Sequence, residues 1–406
     1  MASNNSFVEV GRTGIPWNYG HIYNDFLPQL RGTSAIKIYR EMSDNDTIIG
    51  SCLFAIKQIL REARWDVRPG DSTDDLCKKD ALFLKRNVDN LQHPWTEFFS
   101  DTLSMLIYGW SYFEQVFQRS NGGSVMWKKL APRSQASMDH WEIDDVGEVQ
   151  GLWQNVSDGY KLQYLPLKKS ILFRSESAGN NPEGKSVLRN AYRAWYFKKC
   201  LEEIEGIGVE RDLAGLPVLT PPEGFKFDSD DANSQEALVW AKRIISSIRR
   251  DEQDGLIKPR GWDFELVSSP GKRQFDTTEI INRYNKEMAV TVLAQFVMLG
   301  MERTGSYALA KEQTDMFYLC LEGWMDSIAS TFNRHAVPIL FGLNNVTQED
   351  RPLPYMVHTS VRRFNLRDLA YYVSSLANCE GLIMDDDIRS YLKNFARLTE
   401  FNEVKE

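Results

Sequence analysis

The residues with the plainest chemical potential are Gly179-Asn180-Asn181-Pro182-Glu183-Gly184-Lys185-Ser186, which satisfy the pattern G-x-x-x-x-G-K-[ST] in full. In such a loop, backbone N–H groups cradle phosphates, the lysine reaches them and the hydroxyl helps to hold magnesium. The string follows a strand-like run at residues 171–173 and opens a helical pattern, which is the context a phosphate loop requires. On that reading the chain is a P-loop NTPase, such as a motor. Three features oppose it. Pro182 removes an amide from the loop. A second acidic strand end is needed for the metal, and the one candidate, Leu382-Ile383-Met384-Asp385, lies far downstream in a helical pattern. The strand–helix alternation of a parallel nucleotide-binding sheet also stops after Ser186. The context favours a tight Asn-Pro turn, in which Gly184 and Ser186 shape the start of a helix.

Other reactive groupings are weaker. There is no G-x-S-x-G, no H-E-x-x-H and no Cys/His pairing. Cys52, Cys77, Cys200, Cys320 and Cys379 are odd in number and far apart, the pattern of reduced thiols rather than of a disulfide frame or zinc site. The histidines are equally scattered, so no metal or other cofactor is expected. Asp144-Asp145, Asp230-Asp231 and residues 385–387 read as turn or cap carboxylates. Glu202, Glu203 and Glu205 fall in the middle to late part of a helix, against the dipole preference, which suggests that the helix packs beside a neighbouring subunit carrying basic residues.

The elements that must position these residues follow from pattern and composition. The chain has 406 residues, with 48 Lys+Arg against 56 Asp+Glu and a formal charge of −8. It is 42% hydrophobic, enough for a real core. The acidic balance opposes a protein that coats nucleic acid through a general basic surface. The first residues lack the basic flank and apolar run of a signal peptide. The longest apolar stretch, residues 288–301, carries Thr291 and Gln295 and is too short for a bilayer. A soluble protein of intracellular origin is expected.

Residues 1–43, rich in glycine, proline and aromatics, read as an extended arm. Residues 44–65 form a helix with Asp44 or Asp46 as N-cap, Val67 an edge strand, and residues 73–90 and 94–108 two further helices. From Ser111 to Arg174 the texture alternates, as short strands separated by turns. A long helix opens at Ser186 and another at Asp276, with Glu279 as a capping-box partner. Between them lie a helix near residues 234–250 and two strands flanking Pro259-Arg260-Gly261. A third long helix carries Met316, Cys320, Trp324 and Ile328 on one stripe, and Pro338 stops it. Small helices follow from Phe364 to Leu398. The class is α+β, mainly helical: two rods side by side, with a small module at their far end.

That order, together with the strings DNDTIIGSCLFAIKQILREARWDVRPG, LIYGWSYFEQVF, NPEGKSVLRNAYRAWYFKK, GVERDLAGLPVLTPP, DGLIKPRGWDFEL and TGSYALAKEQTDMF, resembles the tailed-bacteriophage portal proteins (head-to-tail connectors), in particular the Mu-like branch. The similarity runs from about residue 34 to 343. Portals commonly carry an Asn-Pro-x-Gly-x-Ser turn at this place, with Lys185 at a variable position of it.

The resemblance implies a ring, usually of twelve subunits, at one capsid vertex of the virion, assembled in the host cytoplasm. Double-stranded DNA passes through its channel, and it meets terminase, the major capsid and scaffolding proteins, and head-completion (adaptor) and tail proteins; no membrane is involved. It further implies an arm at 1–43, a wing at 44–185, stem helices at 186–212 and 276–299, a clip at 213–275, a channel (tunnel) loop at 300–307, a long wing helix with its return at 308–353, and a helical crown at 354–406. The candidate channel residues are then Glu302, Arg303 and Thr304 in the loop and Asn282, Arg283 and Lys286 on the second rod. Arg249, Arg250, Lys258 and Arg260 are candidate clip contacts. DNA must slide, so a wall of isolated cations suits it better than a continuous basic track.

Overall fold

The computed structural model describes residues 11–156, 161–177, 179–214, 216–225, 232–247, 260–267, 276–291, 307–361, 371 and 374–375. A short hairpin, β1 (Trp17–Asn18) and β2 (His21–Ile22), leads to two nearly continuous helices, α1 (Gly32–Asn45) and α2 (Thr47–Arg61). The extended arm expected up to residue 43 therefore ends at Gly32. Ala35, Ile36, Tyr39 and Met42 recur at helical spacing and are buried, a period too short to stand out behind the glycine- and aromatic-rich stretch. Asp46 is the cap of α2: its Oδ1 accepts the N–H groups of Ile48 and Ile49, each at 3.0 Å.

Next come β3 (Trp65–Arg68), α3 (Asp75–Asp89), α4 (Trp95–Thr102) and α5 (Ser104–Tyr108), with Pro94 at the N-cap of α4. Six strands follow: β4 (Trp110–Arg119), β5 (Val125–Arg133), β6 (Met138–Ile143), β7 (Val149–Asn155), β8 (Leu162–Pro166) and β9 (Ser170–Arg174). They form two antiparallel three-stranded sheets, ordered β5-β4-β9 and β6-β7-β8. The short β8 escapes the pattern reading.

The rods are α6 (Tyr192–Ala214) and α8 (Thr277–Thr291). Residues 187–191 are turns, so α6 starts later than expected. Between the rods lie β10 (Leu216–Thr220), α7 (Ala232–Ser247) and β11 (Asp263–Val267), and β10 pairs antiparallel with β11. The strand expected just before Pro259 lies outside the described residues. Trp262 packs edge-on to Phe225 and Trp240, giving this module its own small core.

The third long helix, α9 (Tyr307–Thr331), passes through a π-turn at Phe332–Ala336 into α10 (Val337–Gly342). Pro338 does not stop it. The proline sits in the first turn of α10, where a missing N–H costs least, and the wider π-turn precedes it. The buried stripe is also displaced from the expected one: Phe317, Leu321, Met325, Ile328 and Phe332 are buried, whereas Met316 is exposed. The π-turn aims Asn333 at β12 (Tyr355–His358), where its side chain bonds the Met356 N–H at 2.7 Å and carbonyl at 2.9 Å.

Strand β12 pairs with β3, and Met356 and Val361 join the largest core with α2–α5, β4, β5, β9 and α9. Residues 355–361, expected in the crown, are therefore part of the main body, because an edge strand needs a partner for its backbone groups. The expected small helices beyond them, including residues 385–387, lie outside the described residues, apart from Tyr371 and residues 374–375. A second core joins α1, α2, the base of α6 and α8, and a third joins α1 to the β6-β7-β8 sheet. No described helix is long and apolar enough to cross a membrane.

Candidate functional site

The loop at residues 179–186 is a packed turn. Asn180 and Gly184 have φ of 66° and 54°. The Glu183 N–H donates to Asn181 Oδ1 at 2.9 Å, and the Gly184 N–H donates to the Asn181 carbonyl at 3.1 Å, which closes the turn on itself. Ser186 is buried: its hydroxyl donates to the Ile107 carbonyl at 2.5 Å and accepts the Leu188 N–H at 3.0 Å. The backbone of Gly109 packs directly against the loop backbone. A Cβ on Gly109 would lie 2.3 Å from the Glu183 carbonyl and 3.2 Å from the Lys185 nitrogen. Lys185 is on the surface, with Nζ 4.0 Å from Glu176. The preceding strand β9 belongs to an antiparallel sheet. These contacts replace the phosphate-cradle reading with the turn. Lys185→Ala is expected to leave nucleotide binding and phosphate release at the parent's background; calorimetry and a phosphate assay check this, and a parent activity lost in the variant would restore the cradle.

This turn seats the first rod on the body. Arg189 makes a two-pronged pair with Asp25, its Nη2 donating at 2.9 Å to Oδ1 and its Nε to Oδ2, and it lies over the Phe26 ring. One helical stretch on, Lys198 Nζ donates to Asp46 Oδ2 at 2.8 Å, with the two side chains only 5% and 4% exposed. Asp46 thus caps α2 and holds α6 with the same carboxylate. Neither pair is visible in the sequence, because the partners are remote along the chain and share no motif.

The rods are antiparallel. Glu205 accepts from Thr277 Oγ1 at 2.5 Å, Phe197 stacks on Tyr284 at 6.4 Å, and Met288 and Ala289 reach the base of α6 beside Ala191 and Ala194. The inserted module therefore lies at the end away from the body. Two of the three glutamates have partners within the chain: Glu205 takes the Thr277 hydroxyl, and Glu202 lies 3.7 Å from Lys198.

Of the predicted site residues, Asn282, Arg283 and Lys286 are all exposed on α8, whereas Met288 and Ala289, further along the helix toward the body, are buried. Arg283 lies over the Tyr284 ring at 4.9 Å and 3.8 Å from Glu287. Arg260 is exposed in the turn before β11, at the far end of the rods. Arg249, Arg250, Lys258, Glu302, Arg303 and Thr304 lie outside the described residues. Among the described residues, no group of three or more His, Cys, Asp or Glu side chains is placed to hold a metal.

The family described as "Portal protein of Mu bacteriophage" matches residues 36–386. Among solved structures, the chain is similar to one from the "Neck of empty GTA particle computed with C6 symmetry", with a TM-score of 0.55 at 12% identity over 88% of this chain and 92% of that one. A chain from the "Virion of native gene transfer agent (GTA) particle" matches at a TM-score of 0.54 and 12% identity, over 88% and 92%. A third, from the "Neck of native GTA particle computed with C12 symmetry", matches at 0.54 and 13% identity, over 88% and 93%. At such identities the likeness is one of fold.

Proposed function

The chain belongs to the family of the Mu bacteriophage portal protein, and from that premise we propose that twelve copies close into a ring at one capsid vertex of the virion, around a channel through which double-stranded DNA is packaged and later ejected. The observation that carries the reading is the antiparallel rod pair: one end is seated on a large α+β body and the other bears a small module. Repetition of such a subunit about an axis would set the rod pairs side by side as the wall of a tube. One similar structure was itself computed with C12 symmetry.

In this reading residues 44–185 with 308–353 form the wing, α6 and α8 the stem, 213–275 the clip and 300–307 the tunnel loop, with the crown beginning beyond Val361. Terminase and the head-completion and tail proteins dock at the ring's two ends, capsid and scaffolding proteins around the wing. Assembly takes place in the host cytoplasm. No residue is given a catalytic role. Asn282, Arg283 and Lys286 line the stem channel and Glu302, Arg303 and Thr304 its narrowest part, while Arg260 with Arg249, Arg250 and Lys258 serves subunit or partner contacts in the clip. The surplus of eight carboxylates per subunit suits a wall that surrounds DNA without gripping it.

Electron micrographs and native mass spectra of the purified chain test the ring: an annular particle with an open axis is expected, and monomers under every condition would overturn it. Arg303→Glu is expected to spare the annulus and change DNA packaging or retention. A variant that no longer assembles would make the loop a subunit interface rather than a channel wall.

A further inference from the structure

The seat of α6 holds a titratable group that the conduit reading leaves unused. A cavity of about 230 Å³ lies between the N-terminal segment, α1, the start of β4 and the turn at 181–186, and Glu183 forms part of its wall. The charges around it are engaged elsewhere. On the N-terminal segment, Arg31 donates to the Asp25 and Phe26 carbonyls at 2.5 and 3.3 Å, and the Asp25 carboxylate is taken up by Arg189 from the base of α6. On the turn, Lys185 leans toward Glu176. Tyr39 of α1 and Tyr108 at the end of α5 complete the titratable lining, and burial pushes both phenols up, so they stay neutral near pH 7. On β6, Asp139 and His140 pair with each other, and Trp141 presents its Nε1 to Glu183 at 3.4 Å. That single long hydrogen bond is the only donor recorded on the Glu183 carboxyl among the described residues.

We propose that Glu183 makes the seat of the first rod a pH-responsive joint: the neutral carboxyl keeps the 179–186 turn locked against Gly109 and Trp141, and its ionisation loosens the turn from which α6 springs. From β9, Arg174 donates to Asn180 Oδ1 at 3.0 Å and to the Asn181 carbonyl at 3.4 Å, and among the described residues no cation makes an ion pair with Glu183, so the charge of a carboxylate here is compensated better by water in an opened turn. Burial pushes the Glu183 carboxyl up to about 7, opposed only by the Trp141 hydrogen bond. A carboxyl raised above its ordinary value of 4.5 stabilises the closed turn fully below that value, and the contribution is lost as pH rises through about 7. The joint is therefore tight in mild acid and loose in mild base.

Hydrogen exchange of the full-length protein reads this directly, since the N–H groups of Gly184, Val187 and Leu188 hold the turn to Asn181, Leu106 and Ser186. After correction for intrinsic exchange, their protection is expected to fall roughly tenfold between pH 5.5 and 8.5. In Glu183→Gln it should stay flat, while amides of α3 behave alike in both proteins. Equal slopes in the parent and Glu183→Gln overturn the proposal, because a group other than Glu183 would then be titrating. Trp141→Phe supplies a second arm that keeps Glu183: removing its one donor should move the midpoint to higher pH, and an unmoved midpoint counts equally against the joint.

Discussion

Lys198→Ala is expected to destabilise the protein by about 3–5 kcal/mol, because it leaves the Asp46 carboxylate buried and unpaired. The pair is short, at 2.8 Å, and withdrawn from water on both sides. Its free energy of formation is offset by desolvation of two charges, so the pair itself is a weak source of stability; breaking it from one side exposes the whole penalty. Asp46 cannot simply turn to solvent, since Oδ1 is committed to the Ile48 and Ile49 amides. Guanidinium unfolding followed by tryptophan fluorescence measures the loss. The combination Lys198→Met with Asp46→Ser keeps a capping oxygen, removes both charges and should recover most of it. If the double variant is as unstable as Lys198→Ala, the loss comes from packing rather than from the stranded charge.

Gly109→Ala is expected to cost about 4 kcal/mol or more and to leave little folded protein. Gly109 has φ of +93°, which already disfavours a side chain. Its added Cβ would also stand 2.3 Å from the Glu183 carbonyl, and Gly184 would meet the Gly109 carbonyl at the same distance in the reverse sense. Backbone meets backbone there, so no side chain can swing aside. Gly179→Ala is the control: its φ is +60° but its Cβ would meet nothing within 4 Å, so only the conformational cost of about 1 kcal/mol is expected. Soluble yield and unfolding midpoints compare the two. Similar losses would mean that strain, not interlocking, governs Gly109.

Much of the fold was legible because it is written in short-range terms. Alternation marks β4–β7 and β9, Asp46 and Asp276 cap the helices after them, and the rod–module–rod order follows from two long helical runs around a proline-rich stretch. The errors were also local. Helix α1 follows directly on a glycine- and aromatic-rich approach that hides where its period begins, and the proline rule misplaced the end of the third helix because a π-turn lets it continue past Pro338. Of the candidate site, the exposed cluster on α8 was named residue by residue. The Lys198–Asp46 and Arg189–Asp25 pairs were not, and neither was the isolation of Glu183.

The amino-acid pattern alone determined most of the order of elements, the run of short strands separated by turns and the family, since period, turn chemistry and matched strings are properties of consecutive residues. Only the tertiary structure decided what the string from Gly179 to Ser186 is. The same eight residues describe a phosphate cradle or a closed turn, and the choice rests on Gly109 and Ile107, contacts some 79 residues away in the case of Ser186. Likewise, the polar residues Asn282, Arg283 and Lys286 were named from their types, but only packing shows where α8 leaves the body: Met288 and Ala289 are buried at the base of α6, and the three polar residues before them stay exposed. Contacts between remote residues repeat with no period, so their consequences appear only when the chain has packed.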